Sequence, residues 1–374
     1  MKVAIERDEL LRGINAVLDV VPAKTALPVL SNILMECDEN GCVGLKATDL
    51  DLSVICGLSG KVEVAGATTV PARKFAEIVR ELPEESVVVT SEEGRVTLER
   101  EGGAKGTYAL MSVPAEDFPD LPSEIDGPEL VFEASEEGTG GGDLLREMIV
   151  KTSFAVSRDE TRPVLNGVLW QIGEGRMTMV ATDGARLVKH SKPFPKAEAS
   201  GKDTEAIVPT RALQHLVKLL SGGAMLGCVQ FGRNHLRFDL SAGEEAEGAE
   251  IQLFSRLIEG PYVDYEQVIP KGNDKELKVS NELLAPAVRR VSVLSSSQTH
   301  QVRLRLQSDA IELSATSQEI GGEARETMEA SYAEEEMSIG YNSAYLQEIL
   351  RRIDTGEVVF SLDTAVTAGI IRPS

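Results

Sequence analysis

Long apolar runs are missing from this 374-residue chain: nowhere does it approach the roughly eighteen uninterrupted apolar residues that a membrane-spanning helix needs. A secretory leader is also not legible, because the opening MKVAIERDELL places Glu6, Arg7, Asp8 and Glu9 where an apolar core would stand. The expectation is a soluble, cytoplasmic protein. Cysteine and histidine are scarce. Cys37, Cys42, Cys56 and Cys228 show no C-x-x-C spacing, and His190, His215, His235 and His300 are scattered singly, which argues against zinc and predicts no metal and no cofactor. Three of the cysteines lie in apolar or alternating segments, where a small buried thiol is expected, and disulfides are not expected in a reducing cytosol. Positive charge is in deficit, with 38 Lys and Arg against 60 Asp and Glu, for a formal charge of −22. Phosphate binding is supplied by lysine and arginine, so this total speaks against nucleic acid. Salt screens charge beyond about 8 Å, however, so a local basic surface can coexist with an acidic whole.

What the chain does contain is repetition. ATDLDLSV, from Ala47, recurs as ATDGARLV from Ala181 and more faintly as ATSQEIGG from Ala315, placing Thr48, Thr182 and Thr316 at equal spacings of 134 residues. ALPVLSNILMEC from Ala26 matches TRPVLNGVLWQI from Thr161, with THQVRLRLQ from Thr299 as the third counterpart. VPARKFAEIVREL from Val70 matches VPTRALQHLVKLL from Val208 and GYNSAYLQEILRRI from Gly340. Three anchors in constant order define three copies of one unit. The period exceeds the roughly 20 to 50 residues of solenoid repeats, so each copy is a domain. The boundaries fall at the acidic, proline-bearing connectors DFPDLP and DYEQVIP, giving domains 1–125, 126–265 and 266–374.

Each copy opens with an alternating strand (KVAIE, LVFEA, ELKVS) followed by a helical pattern, and a second helix starts at the VPAR-type anchor. Pro71 and Pro209 suit helix entry, and Asn342 or Ser343 is the natural N-cap in the third copy. Alternating runs bounded by Gly, Asp, Asn and Glu supply seven or eight antiparallel strands per copy. The fold class is therefore α+β, with two helices packed on antiparallel sheets in each of three similar domains. Pro286 is expected to shorten or kink its helix. The third copy ends at IIRPS, just after the strand that matches RVTLER, and so reads as lacking a closing strand and tail.

Charge is segregated by element type. Predicted helices 8–21, 73–82, 143–158, 210–220, 281–293 and 343–353 total +4, leaving −26 on the rest. Glutamate favours helices as strongly as lysine does, yet the helix over 210–220 carries no acid. Arg289, Arg290, Arg351 and Arg352 sit in final turns, where the helix dipole also favours them. Helix faces with isolated cations and no interleaved aromatics can touch phosphates but cannot stack on bases, which fits duplex DNA held without sequence preference.

The ordered set ALPVLSNIL, ATDLDLSV, VPARKF, FPDLP, TRPVLNGVL, ATDGARL and DYEQVIP closely resembles the bacterial sliding-clamp family, the beta subunits of DNA polymerase III. The resemblance implies the DNA clamp fold, a ring-shaped head-to-tail homodimer with helices lining the hole and sheets outside, and no catalysis. It implies a processivity factor that encircles double-stranded DNA and tethers the polymerase catalytic subunit, the clamp loader and other proteins with clamp-binding motifs. It assigns DNA contact to Lys24, Arg73, Arg80, Arg158, Arg162 and Arg211, although Pro163 and Val164 stand where some members carry an aromatic pair. The partner-peptide pocket falls on Leu165, Thr182, Gly184, Arg186, Leu187, Val263, Val268 and Tyr345, without the C-terminal Met-Pro and Arg-Leu ending that completes it in the family. The ring junction falls on Tyr108 and Leu110 against Val293 and Leu294 of the neighbour, with Lys105 facing Glu319, Glu323 or Glu326.

Two other classes fit the sequence less well. An enzyme would need more than the D-x-D of Asp49 and Asp51 or the Asp183-Gly184 turn, neither of which has a histidine or third carboxylate at useful spacing. The glycine-rich EGTGGGD from Glu137 lacks the Lys-Ser/Thr of a phosphate loop, and SAGEEAEGAE from Ser241 reads as a solvated loop. A β-rich repeat interaction protein without nucleic-acid binding is the remaining alternative.

Overall fold

The computed structural model describes residues 1–83, 85–100, 106–122, 125–132, 141–193, 204–241 and 250–374. Lys105, residues 137–140 of the glycine-rich segment and residues 242–249 lie outside that set. Two compact units are present, Met1–Tyr262 and Val263–Ser374.

In the first unit, the first copy runs β1 (Lys2–Glu6), α1 (Arg7–Leu18), β2 (Asn32–Cys37), β3 (Cys42–Thr48), β4 (Leu52–Ser59), β5 (Lys61–Val64), β6 (Gly66–Pro71), α2 (Ala72–Glu81), β7 (Ser86–Glu92), β8 (Arg95–Arg100) and β9 (Thr107–Met111). The second copy runs β10 (Glu129–Val131), α3 (Gly141–Thr152), β11 (Gly167–Gly173), β12 (Arg176–Thr182), β13 (Leu187–Pro193), β14 (Thr204–Pro209), α4 (Thr210–Ser221), β15 (Met225–Phe231), β16 (His235–Ser241) and β17 (Glu250–Arg256). Its sheets have the orders β5-β1-β7-β8-β9, β13-β12-β11-β14 and β10-β15-β16-β17-β4-β3-β2-β6. The last crosses from one copy to the next. There β17 pairs antiparallel with β4, Leu253 opposite Val54 and Ser255 opposite Leu52, so one hydrogen-bonded sheet fuses the two copies. That shared sheet explains why two sequence repeats make one compact unit.

The second unit runs β18 (Lys275–Ser280), α5 (Asn281–Ser292), β19 (Gln301–Gln307), β20 (Ala310–Ser317), β21 (Gly322–Glu329), β22 (Ser331–Tyr332), β23 (Met337–Asn342), α6 (Ser343–Leu350), β24 (Glu357–Leu362) and β25 (Ile370–Pro373). Its sheets are β22-β18-β24-β25 and β21-β20-β19-β23. β25 takes the place that β8 holds in the first copy, and among the described residues no strand takes the place of β9.

Local sequence accounts for these elements. In β19, Val302, Leu304 and Leu306 are buried while Arg303 and Arg305 are exposed, the period-two pattern of a sheet with one face on a core. In α2, Ala72, Phe75, Ala76 and Val79 recur at i, i+3, i+4 and i+7 and are all buried. Pro71 and Pro209 stand immediately before α2 and α4. Asn342 caps α6, its side chain accepting from Ala344 N at 2.9 Å and Tyr345 N at 3.3 Å.

Two expectations need correction. The first copy has nine strands rather than seven or eight, because Gly66, at φ 154°, turns the chain from β5 straight into β6 without a polar loop to mark the boundary. Pro286 does not shorten its helix: α5 has twelve residues, as α1 does. The hydrogen bond that proline removes would have gone to the carbonyl of Glu282, an exposed residue in the first turn, and Leu284, Ala287, Val288 and Val291 hold the helix to its core on either side.

Candidate nucleic-acid and partner-binding surfaces

The strongest local signature, the A-T-D turn, is built from side-chain chemistry. Thr48 Oγ1 donates to Leu52 O at 3.0 Å and accepts from Leu50 N at 2.9 Å, while Asp49 Oδ1 accepts from Asp51 N and Leu52 N at 3.0 and 2.7 Å. The second copy repeats all four bonds. Thr182 Oγ1 donates to Arg186 O at 2.7 Å and accepts from Gly184 N at 3.1 Å, and Asp183 Oδ1 accepts from Ala185 N and Arg186 N at 2.9 and 3.0 Å. The central residue is left-handed in both, at φ 82° for Leu50 and 90° for Gly184. A leucine there costs about 1 kcal/mol that glycine does not.

The free oxygen of each aspartate has a different use. In the first copy, Asp49 Oδ2 takes Arg211 Nη1 from α4, and Arg211 Nη2 also donates to Val20 O at 3.0 Å. His215 Nε2 lies 3.0 Å from Ala16 O, and Lys218 pairs with Asp19. Thus Arg211, His215 and Lys218, at i, i+4 and i+7, form one face of α4 that grips the end of α1. In the second copy Asp183 Oδ2 instead accepts from Arg186 Nε at 3.2 Å, within its own turn.

The five pocket residues expected in the first unit gather around this second turn. Arg186 Nη2 donates to Phe154 O at 2.8 Å and its guanidinium lies 5.3 Å from the Phe154 ring centroid, so this arginine is a largely internal strut of the wall. Leu165 is buried and its carbonyl accepts from Ser157 N at 2.8 Å; Leu187 is half-buried at the start of β13. Arg162 reaches the same turn: Nε donates to Asp159 Oδ2 at 3.0 Å, Nη2 donates to Asp183 O at 3.4 Å, and Nη1 would be 3.0 Å from a Cβ added to Gly184. A side chain at Gly184 would therefore face both a left-handed backbone and this guanidinium. Val263, Val268 and Tyr345 belong to the second unit. Val263 and Val268 are exposed beside a short 3-10 turn at Tyr265–Gln267, and Tyr345 is half-buried in the first turn of α6.

Of the residues expected to meet DNA, Lys24, Arg73, Arg80, Arg158, Arg162 and Arg211 are all exposed. Arg73 and Arg80 share a face of α2, seven residues apart, whereas Arg211 is engaged by Asp49. Sequence reasoning missed that Arg211 and Lys218 meet acids of the preceding copy. The signal available was the −2 charge of the first predicted helix beside the +2 of the fourth. It also missed Arg7, whose Nη2 donates to Arg80 O at 2.8 Å and whose Nε donates to Val79 O at 3.3 Å, closing the C-terminal turn of α2.

The expected junction residues lie on exposed margins. Among the described residues β9 pairs only with β8 and β21 only with β20, so each is an open sheet edge there. Tyr108 on β9 is 43% exposed and Val293 after α5 is 75% exposed. Glu326 is held by Arg290 at 2.8 and 2.7 Å, Glu323 by Arg325, and Glu319 by Ser297, so all three acids have partners within their own unit.

The cysteine expectations hold for Cys37, Cys56 and Cys228, which are buried, with burial pushing Cys37 up to about 11 and Cys56 up to about 12; Cys42 is exposed. Glu129, Cys228 and Asp239 cluster, but the thiol donates to Glu129 Oε1 at 2.6 Å and Asp239 pairs with Arg237 at 2.7 Å. Burial and the neighbouring Glu129 both raise the thiol's pKa and hold its proton, which opposes metal ligation.

Family comparisons agree along the chain. The N-terminal, central and C-terminal domains of the DNA polymerase III beta subunit match residues 1–122, 141–264 and 266–374. The Beta sliding clamp of Salmonella typhimurium is 31% identical over 369 residues, covering 98% of this chain and 94% of that protein, and that of Caulobacter vibrioides is 32% identical over 381 residues, covering 100% and 96%. Among solved structures, the DNA polymerase III subunit beta of Pseudomonas aeruginosa superimposes with a TM-score of 0.89 at 28% identity, and the sliding clamp of Bartonella birtlesii with 0.88 at 32%, each covering 100% of this chain and 96% of the other. The chain belongs to the DNA polymerase III beta subunit family, the bacterial sliding clamps.

Proposed function

We propose that two copies of this chain close head to tail into a ring that encircles duplex DNA without sequence preference. The ring is a non-catalytic processivity factor, holding the DNA polymerase III catalytic subunit, the clamp loader and other clamp-binding proteins at the DNA. The observation that supports this reading is that β9, in the first copy, and β21, in the third, are sheet edges among the described residues and belong to the strand types that pair as β17 and β4 inside the chain, β13 being a further edge of the β4 type. A heterologous contact of this kind makes a ring when its rotation closes, and closure removes exposed edges.

In this reading each chain contributes domains 1–125, 126–265 and 266–374. Lys24, Arg73, Arg80, Arg158, Arg162 and Arg211 provide the phosphate contacts, and topological linkage substitutes for tight binding. An extended peptide with apolar anchors docks against Leu165, Thr182, Gly184, Arg186 and Leu187 of the first unit. The support is the turn that positions these residues.

Sedimentation of the purified protein tests the assembly, with a two-chain species expected. Fluorescence titration with a polymerase-derived peptide tests the pocket. Arg186→Ala combined with Leu187→Ala is expected to weaken peptide binding while leaving the two-chain species intact. Because Arg186 also braces the turn, Leu187→Ala alone is the cleaner arm. Undiminished binding by both variants would remove the pocket assignment.

A further inference from the structure

Two Asn-Gly steps occur in the chain, Asn40-Gly41 and Asn166-Gly167, and the fold holds them in opposite ways. At such a step the backbone nitrogen of the glycine can attack the asparagine side-chain amide, because glycine has no Cβ to hinder the approach and its backbone rotates readily into it. What decides the outcome is how firmly the amide and the nitrogen are held.

Asn40 stands near the tip of the turn over 38–42 that joins β2 to β3. Asp38 N donates to Cys42 O at 3.0 Å, and Asp38 Oδ1 accepts from Asn40 N at 2.9 Å and from Cys42 N at 2.8 Å. These bonds fix the base of the turn and leave the reacting groups loosely held. The Asn40 side chain is exposed, and its amide nitrogen lies 3.4 Å from Asp38 Oδ2. The Gly41 nitrogen lies 3.4 Å from Asp38 O, at the far end of hydrogen-bond range. Gly41 has φ 90°, the left-handed position of a three-residue hairpin loop, and a Cβ built there would have Gly60 O, at 3.3 Å, as its one non-adjacent neighbour within 4 Å.

Asn166-Gly167 is packed. Asn166 ends the 3-10 turn Pro163–Asn166, and Gly167 opens β11, buried and in register with Pro209 of β14. With its amide oriented to suit its neighbours, Asn166 donates to Ser157 O at 2.9 Å and to Asp159 O at 3.2 Å, and its main-chain O accepts from Thr210 Oγ1 at 2.7 Å. A Cβ at Gly167 would stand 2.7 Å from Val208 O and 2.8 Å from the side chains of Ile207 and Ile258. Reaction there requires the ladder to open, whereas at Asn40 a turn tip has only to flex.

We infer that Asn40 is a site of spontaneous covalent modification, deamidating in the folded protein through a cyclic imide to aspartate and isoaspartate, while Asn166 is protected. The Gly41 nitrogen bonds to Asn40 Cγ and loses its proton to solvent; the Cγ–Nδ2 bond breaks, and the nitrogen takes up a proton and leaves as ammonia. Water then opens the imide. Cleavage at Cγ gives aspartate, and cleavage at the main-chain carbonyl carbon gives isoaspartate, with the backbone rerouted through the side chain. Nothing is oxidised or reduced: water is consumed and ammonia released. Each event adds a negative charge beside Asp38 and Glu39. The isoaspartyl product also lengthens the backbone ahead of Gly41, which displaces Gly41 O from Gly60 N, a 3.4 Å bond at the bend between β4 and β5.

The full chain, kept folded in warm, mildly alkaline buffer, is mapped by peptide mass spectrometry, with isoaspartate scored by an isoaspartyl methyltransferase. A parallel sample is unfolded in urea. In the folded protein Asn40 is expected to convert at least about ten times faster than Asn166, and in urea the two rates are expected to agree within about threefold. Asn40→Gln is expected to abolish the acidic species that ion exchange resolves from aged protein. An Asn40 that stays intact in the folded chain while converting in urea would overturn the proposal. So would Asn166 converting as fast as Asn40 in the folded chain, or an acidic species that persists undiminished in Asn40→Gln.

Discussion

The β17–β4 pairing and the edges β9 and β21 are made from equivalent strands, yet the pairing lies inside the first unit, whereas β9 is an edge of that unit and β21 an edge of the second. Inside, the joint is a continuous sheet with Leu253, Val54 and Leu52 buried, reinforced by Arg211 on Asp49, Lys218 on Asp19 and His215 on Ala16 O. At the margins Tyr108, 43% exposed, stands in the place of Leu253, while Val293, 75% exposed, stands in the place of Asp19 and Ser317 in that of Asp49. The difference is one of permanence. A joint locked by charge and by covalent continuity belongs to folding, whereas an apolar edge without those locks can form and part as an interface. It also explains how an acidic chain presents cations. The acids pair with basic residues where permanent structure is needed and are absent from the equivalent place at the edge.

That contrast can be broken from either side. The largest effect is expected from Tyr108→Asp with Val293→Asp, two exposed positions (43 and 75%) that the proposed ring would cover. The single chain should keep its fold by circular dichroism, while sedimentation shows two-chain association weakened by at least about a hundredfold, in line with a buried, unpaired carboxylate. Next, Leu253→Ala removes the equivalent apolar contact inside the chain and is expected to lower unfolding stability by about 2–5 kcal/mol in denaturant titration. The folded fraction should still associate.

Cations divide in the same way. Arg73→Ala with Arg80→Ala is expected to lower the slope of log affinity for duplex DNA against log salt by about 1.8, near 0.9 for each phosphate contact, with little change in stability. Arg211→Ala should in addition cost about 1–2 kcal/mol of stability through loss of its bonds to Asp49 and Val20.

The smallest effect concerns pH. Burial lowers the His215 pKa below 6.5, opposed by Asp19 and the Ala16 carbonyl and assisted by Lys218 and Arg211. The unfolded state then binds the proton more readily, so the stability from neutral His215 is present above pH 6.5 and declines as pH falls through and below it. His215→Gln should flatten the unfolding profile below pH 6.5.

Much of this was legible in the sequence where side chains write local structure. The threonine and aspartate of A-T-D each bond backbone within four residues, so Thr48 and Thr182 mark the same turn in both copies. Periodicity likewise revealed α2. Non-local pairing was not legible. Arg211 meets Asp49 across 162 residues, and no spacing rule joins them. The continuous sheet across two repeats and the undiminished length of α5 both follow from tertiary packing that a linear pattern does not encode.

The central claim is encirclement, and retention on DNA tests it most directly. The protein is loaded onto closed circular duplex, the circle is cut at one site, and the bound fraction is followed at a salt concentration that suppresses simple phosphate contact. Encirclement predicts stable retention on the closed circle and rapid loss once a free end exists; equal retention on circular and linearised DNA would contradict it.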